Sequence, residues 1–188
     1  MGFENDIKNA TSYLTKKQAD YDEVVALSRD VIREAGQIIT MLHNDRIAGA
    51  NSLIKSIKGR IRSMKRIDAN FKYYTSQAYQ EYAEAMLLYG IKTKKAITSM
   101  KELDVEPEAY LNGMLDAVGE LRRSMLEALM KDMHGEAKLY FSFMKKVYDA
   151  TRGIRFTDAI LPSFRRKQDV ARMQIENASS ELLRSKRG

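Results

Sequence analysis

Glu81 and Glu84 stand three residues apart in a long helical pattern, on the side that carries the apolar residues. Tyr74, Ala78, Ala85 and Leu88 share a helical face with Glu81, and Leu87, Leu88 and Ile91 share one with Glu84. Most acidic pairs on helices are solvated surface. Two carboxylates within an apolar stripe break the local rule, and such breaks mark functional sites. A second pair, Asp116 and Glu120, lies one turn apart between Gly113 and Gly119. Glycines there let a backbone, a metal or a ligand approach. The simpler alternative is a helix–helix contact with Glu120 paired to Arg123 or Arg60. Asp149 is a fifth acid, for which an ion pair with Lys145, Lys146 or Arg152 is the ordinary explanation. Brought together, these acids would offer oxygen ligands to a hard dication, Mg²⁺ or Mn²⁺. Such an ion activates water and neutralises a phosphodiester in its transition state.

The composition suits that chemistry. The chain has 188 residues, no Cys, two His and two Pro. Thiol catalysis, disulfides and thiolate zinc sites are excluded, and a reducing, cytoplasmic setting is expected. His43 and His134 are too few for a His-rich metal centre. A net charge of +7 fits a polyanion partner, with a merely basic surface as the alternative. No apolar run approaches a bilayer span, so no membrane partner is expected.

The elements that must carry the acids read as all α. Helical spacing predicts helices over 5–42, 46–67, 71–99, 107–131 and 136–151, then a last one opened by Asp158 and Pro162 and running to 184. Gly36 is a candidate bend, Asn70 a candidate cap for the third helix, Pro107 a first-turn residue of the fourth, and His134-Gly135 a stop. The whole chain, 1–188, reads as one domain, without strand pattern, linker or repeat.

Basic residues are the other signal. Lys55, Lys58, Arg60, Arg62, Lys65 and Arg66 form a stripe on the second helix, and Arg165-Arg166-Lys167 a cluster near the start of the last. Both could hold phosphates or simply be solvated. Tyr73, Tyr74, Tyr79 and Tyr82 could stack unpaired bases, although at least half of them are expected in packing.

Several segments resemble the translin/TRAX family. Tyr110-Leu111-Asn112-Gly113-Met114 with the later Glu120-Leu121-Arg122-Arg123 is similar to the family's Tyr-Leu-x-Gly-Val and Glu-Leu-x-Arg signature. Gln80-Glu81-Tyr82-Ala83-Glu84-Ala85 and Val147-Tyr148-Asp149 are similar to TRAX segments. The tail, from Leu161 through Ile175-Glu176-Asn177-Ala178 to Arg187-Gly188, is similar to the family's last helix. The similarity runs from about residue 70 to the end.

This resemblance implies a bundle of about six to seven antiparallel helices that assembles into a closed hollow homo-oligomer, an octamer. It implies binding of single-stranded RNA, or DNA, and a Mg²⁺-dependent endoribonuclease site of TRAX type. Glu81, Glu84 and Asp149 match the family's catalytic acids and would bind metal. Asp116 and Glu120 match acidic positions that ligate metal or orient its water; translin keeps the Glu and has lost the Asp. Lys58, Arg62, Arg122 and Arg123 would position phosphates. The chain departs from translin in its Arg/His-rich binding segment, where Thr75, Gln77 and Tyr79 stand. It also lacks TRAX's long basic N-terminal extension, so nuclear import is not expected. The expected activity is Mg²⁺- or Mn²⁺-dependent cleavage of single-stranded RNA. The alternative is a translin-type binder without chemistry, and a plain helix-bundling interaction protein is the third reading.

Overall fold

The computed structural model describes residues 2–185. They form seven helices: α1 (Gly2–His43), α2 (Ile47–Ile67), α3 (Lys72–Lys94), α4 (Met100–Leu103), α5 (Pro107–Met130), α6 (His134–Thr151) and α7 (Phe164–Arg184). A 3₁₀ turn, Asp68–Asn70, links α2 to α3. Arg187 and Gly188, the end of the family-like tail, lie outside the described residues.

The helices form where apolar residues recur at helical spacing. Val31, Ala35, Ile38 and Leu42 of α1 and Ile54, Ile57, Ile61 and Met64 of α2 face the core, as the pattern predicts. The packing order differs from the chain order. α1 packs on α2 and α3, α3 on α5, α5 on α6 and α7, and α6 on α7. The third helix is therefore central. Ala78, Tyr79, Tyr82, Ala83, Ala85, Met86, Leu87, Leu88 and Ile91 are all buried, which is more than one face of a helix can supply. The single apolar stripe expected there is instead a helix buried on most sides.

Local signals decide the ends. Pro107 is the first residue of α5, as expected, since its missing N–H costs nothing there. α3 ends at Lys94, short of the expected 99, and Ser99 and Glu102 form a capping box that nucleates the short α4 in the stretch expected as a loop before the fourth helix. Two further expectations change. Phe71, not Asn70, holds the N-cap position of α3, and no side chain caps it. His134 begins α6 rather than ending a helix; the break falls at Asp132, which adopts a left-handed φ of 56°. The last helix begins at Phe164, and 154–163 is irregular chain.

The first half of α1 also departs from expectation. Ile7 and Leu14, which fall on the apolar spacing of the predicted 5–42 helix, are exposed together with Phe3 and Tyr13. A helix of 42 residues is ~63 Å long, more than this bundle can cover.

Gly113 fixes how α3 and α5 meet. A Cβ there would lie 2.9 Å from Ala83 Cβ, 2.9 Å from Gln80 O and 3.0 Å from Glu84 N. Only glycine lets α5 lie this close to the Gln80–Glu84 turn. Asp116 then follows one turn later, beside the two glutamates.

Candidate acidic cavity

Glu81 and Glu84 from α3 and Asp116 from α5 line one cavity of about 530 Å³ with Gln80, Arg166 and Lys167. Gly119 lines it too, and nothing lies within 4 Å of where its Cβ would be. One glycine thus joins the helices, and the other leaves room beside the acids.

The electrostatics follow from this crowding. Burial pushes the Glu84 carboxyl up to about 8, and the charges of Asp116, Glu81 and Glu120 add to the effect against Lys167. Glu81 is also raised, first by burial and then by Asp116, with Gln77 and Lys167 opposing. Asp116 is compensated directly. Its Oδ2 accepts from Lys167 Nζ at 2.5 Å and from Gln80 Nε2 at 2.8 Å. Lys167 thus draws the start of α7 over the cavity.

Glu120 stands just behind. It pairs with neither Arg60, which binds Asp30 and Glu34, nor Arg123. Its Oε2 lies 2.6 Å from Nε2 of the buried His43, whose Nδ1 lies 2.9 Å from Glu127 Oε2. The hydrogen bond from His43 is the main reason the Glu120 carboxyl is held below its ordinary range. Neighbouring acids are thus pushed opposite ways, Glu84 toward the protonated form and Glu120 toward the anion.

Asp149 does not join them. It lies exposed on α6, 3.8 Å from Arg152, and does not line the cavity, so the simple ion pair accounts for it. It follows Val147 by two residues, which puts it on the side of α6 opposite the buried Phe143, Val147 and Thr151. Among the described residues, no three acids converge as a finished metal cage. The donor chemistry still fits a hard dication. Three oxygen donors share one cavity, two of them resist ionisation, and the third is held by a lysine that a cation would replace.

The basic residues fall differently from expectation. Lys58 and Arg62 belong to α2, which packs chiefly on α1, and line no part of the cavity. Arg122 is tied to Glu181 and donates to Gln174 Oε1 at 3.2 Å; Arg123 lies on the surface with Glu127. Arg166 and Lys167 are the cations at the acids. Their sequence cluster was visible, but its position over α3 and α5 was not. Of the four tyrosines, Tyr79 and Tyr82 are buried, and Tyr73 and Tyr74 are exposed.

Residues 19–179 match the family model described as "Translin family". The chain is also 32% identical over 176 residues to an uncharacterized protein of Methanocaldococcus jannaschii, covering 92% of this chain and 79% of that one. The chain belongs to the translin family. Two solved structures share its fold at 26% identity. One is AfC3PO in complex with duplex RNA, with a TM-score of 0.89 over 96% of each chain. The other is AfC3PO, with a TM-score of 0.86 over 96% of this chain and 97% of that chain. An apo-NeC3PO crystal structure, 22% identical, shares the fold with a TM-score of 0.86 over 95% and 96%. This settles the fold class as all-α and translin-like. No described helix is long and apolar enough to cross a membrane.

Proposed function

We propose that this translin-family chain is a Mg²⁺- or Mn²⁺-dependent endoribonuclease acting on single-stranded RNA. The observation that carries the reading is the shared cavity of Glu81, Glu84 and Asp116, with Lys167 and Arg166 at its edge. Glu81, Glu84 and Asp116 would hold the metal, with Glu120 as a fixed anion beside them. The bound ion would supply an activated water and charge neutralisation at the phosphodiester. Lys167 and Arg166 orient the phosphate from α7, and Lys167 exchanges Asp116 for a phosphate oxygen. Glu84, which keeps its proton to about pH 8, is placed to hold or pass a proton at its carboxyl oxygen. RNA binding draws support from the similar AfC3PO, which was solved with duplex RNA.

Assembly belongs to the same reading. The exposed apolar residues of the first half of α1, Phe3, Ile7, Tyr13 and Leu14, suit contacts between copies of this chain. A closed homo-oligomer, an octamer, would cover them.

One observation favours a binder without chemistry: Asp116 is already satisfied by Lys167 and Gln80. Labelled single-stranded RNA incubated with the protein separates the two readings. Internal cleavage with Mg²⁺ and none with EDTA is the expected result. Intact RNA under both conditions, with salt-dependent binding, would establish the binder.

A further inference from the structure

α1 packs on α2 and α3, and its last residue, His43, carries it to α5. The His43 side chain is 1% exposed and lies between two carboxylates of α5. Nε2 is 2.6 Å from Glu120 Oε2, and Nδ1 is 2.9 Å from Glu127 Oε2. Glu120 and Glu127 stand about two turns apart, so one face of α5 grips both edges of the imidazole. An anionic carboxylate only accepts, and a neutral imidazole has one donor and one acceptor. Two carboxylates at these distances therefore call for two ring N–H donors.

The clamp is braced on three sides. Lys92 Nζ from α3 donates to Leu42 O at 2.8 Å, which fixes the backbone next to His43. Asp45, in the turn after α1, pairs with Lys131 at 3.1 Å, just past the end of α5. Arg123 Nε donates to Glu127 Oε1 at 3.2 Å and holds the outer carboxylate in place. A histidine so held would be ordinary core packing but for its inner partner. Glu120 does not line the acidic cavity, yet its charge is felt there, since it adds to the rise of Glu84. Gly119, the residue before it, does line the cavity, as does Asp116 one turn earlier.

We propose that His43 is the positioning residue of the acidic site, pinning the Glu120 carboxylate beside Glu84 so that the cavity keeps a fixed negative charge for a divalent cation. This rests on the metal-dependent reading of the cavity, whereas the clamp itself depends on packing alone. Without the ring, Glu120 loses the partner that sets its direction and turns toward solvent. Hydrogen-bond partners behind a metal site are worth about 10–100-fold in metal affinity or activity.

The first test needs no metal. With His134→Gln in place, His43 is the sole histidine, and solid-state ¹⁵N spectra of histidine-labelled protein should show both ring nitrogens protonated near neutral pH. An unprotonated ring nitrogen would overturn the clamp. The second test compares calorimetric Mn²⁺ titration with RNA binding in EDTA on the same preparations. His43→Gln is expected to weaken Mn²⁺ binding about tenfold or more and to leave RNA affinity within about twofold of the parent. Glu127→Gln removes only the outer brace, at a part-exposed position that folding tolerates, and should fall between the two. Unchanged Mn²⁺ affinity in both variants would overturn the positioning role. So would a loss of RNA binding as large as the loss of metal, which would mean that the ring only supports the fold. A parent protein that binds Mn²⁺ and leaves RNA intact would refute the nuclease reading alone, since the affinity ratio still decides the role of His43.

Discussion

Glu81→Ala/Glu84→Ala is expected to lose metal-dependent RNA cleavage by on the order of 10³-fold or more, while RNA binding is retained. The two residues supply both α3 donors of the cavity, and nothing else on α3 that lines it carries a charge. Without them Asp116 remains alone and stays paired to Lys167. Binding should hold or tighten, because two carboxylates leave the surroundings of the phosphate-facing Arg166 and Lys167. Single-turnover cleavage and filter binding on the same preparation check both halves. Cutting at the parent rate would refute the assignment of these glutamates.

Glu84→Gln is expected to melt higher than the parent at pH 8 and above, in metal-free buffer. The carboxyl is raised from 4.5 to about 8 in the folded chain. Below pH 4.5 both states bind the proton, so folding pays nothing. Between 4.5 and 8 the folded chain keeps a proton that the unfolded chain has released, so stability falls as pH rises. Above 8 the loss is complete, on the order of 5 kcal/mol before solvent softens it. Glutamine carries no such penalty. A gain of a few degrees is expected at pH 8, fading toward pH 4.5, by calorimetry across that range. An equal difference at both ends would show that packing, not charge, is responsible.

These acids also show what the sequence could reveal. Glu81 and Glu84 were legible because helical spacing sets which residues share a face. Gly113 and Gly119 were legible as small residues near acids, and each has a distinct place in the structure. The long helices followed from period and composition. The third helix was misread as one-sided because its burial comes from α1 and α5 together, a fact of packing order. Asp149 is drawn in by the resemblance; by spacing it stands two residues past Val147, on the side of α6 opposite its buried residues Phe143, Val147 and Thr151. The grip of Lys167 on Asp116 and of His43 on Glu120 joins residues 51 and 77 positions apart. Such pairs exist only once the helices are packed. The first half of α1 carries a normal apolar pattern, so spacing alone could not say that the described residues leave it uncovered.

The central claim is that the strained acids of the cavity form a metal site, and proton-linked metal binding tests it most directly. Near pH 7 Glu84 holds its proton, so a cation that takes its oxygen must expel it. Mn²⁺ titrated calorimetrically at pH 7, in two buffers of different ionisation enthalpy, should show saturable binding with about one proton released per ion. Glu84→Gln should lose that release and most of the affinity. Saturable binding that is unchanged in Glu84→Gln, or no saturable binding in the parent, would contradict the account.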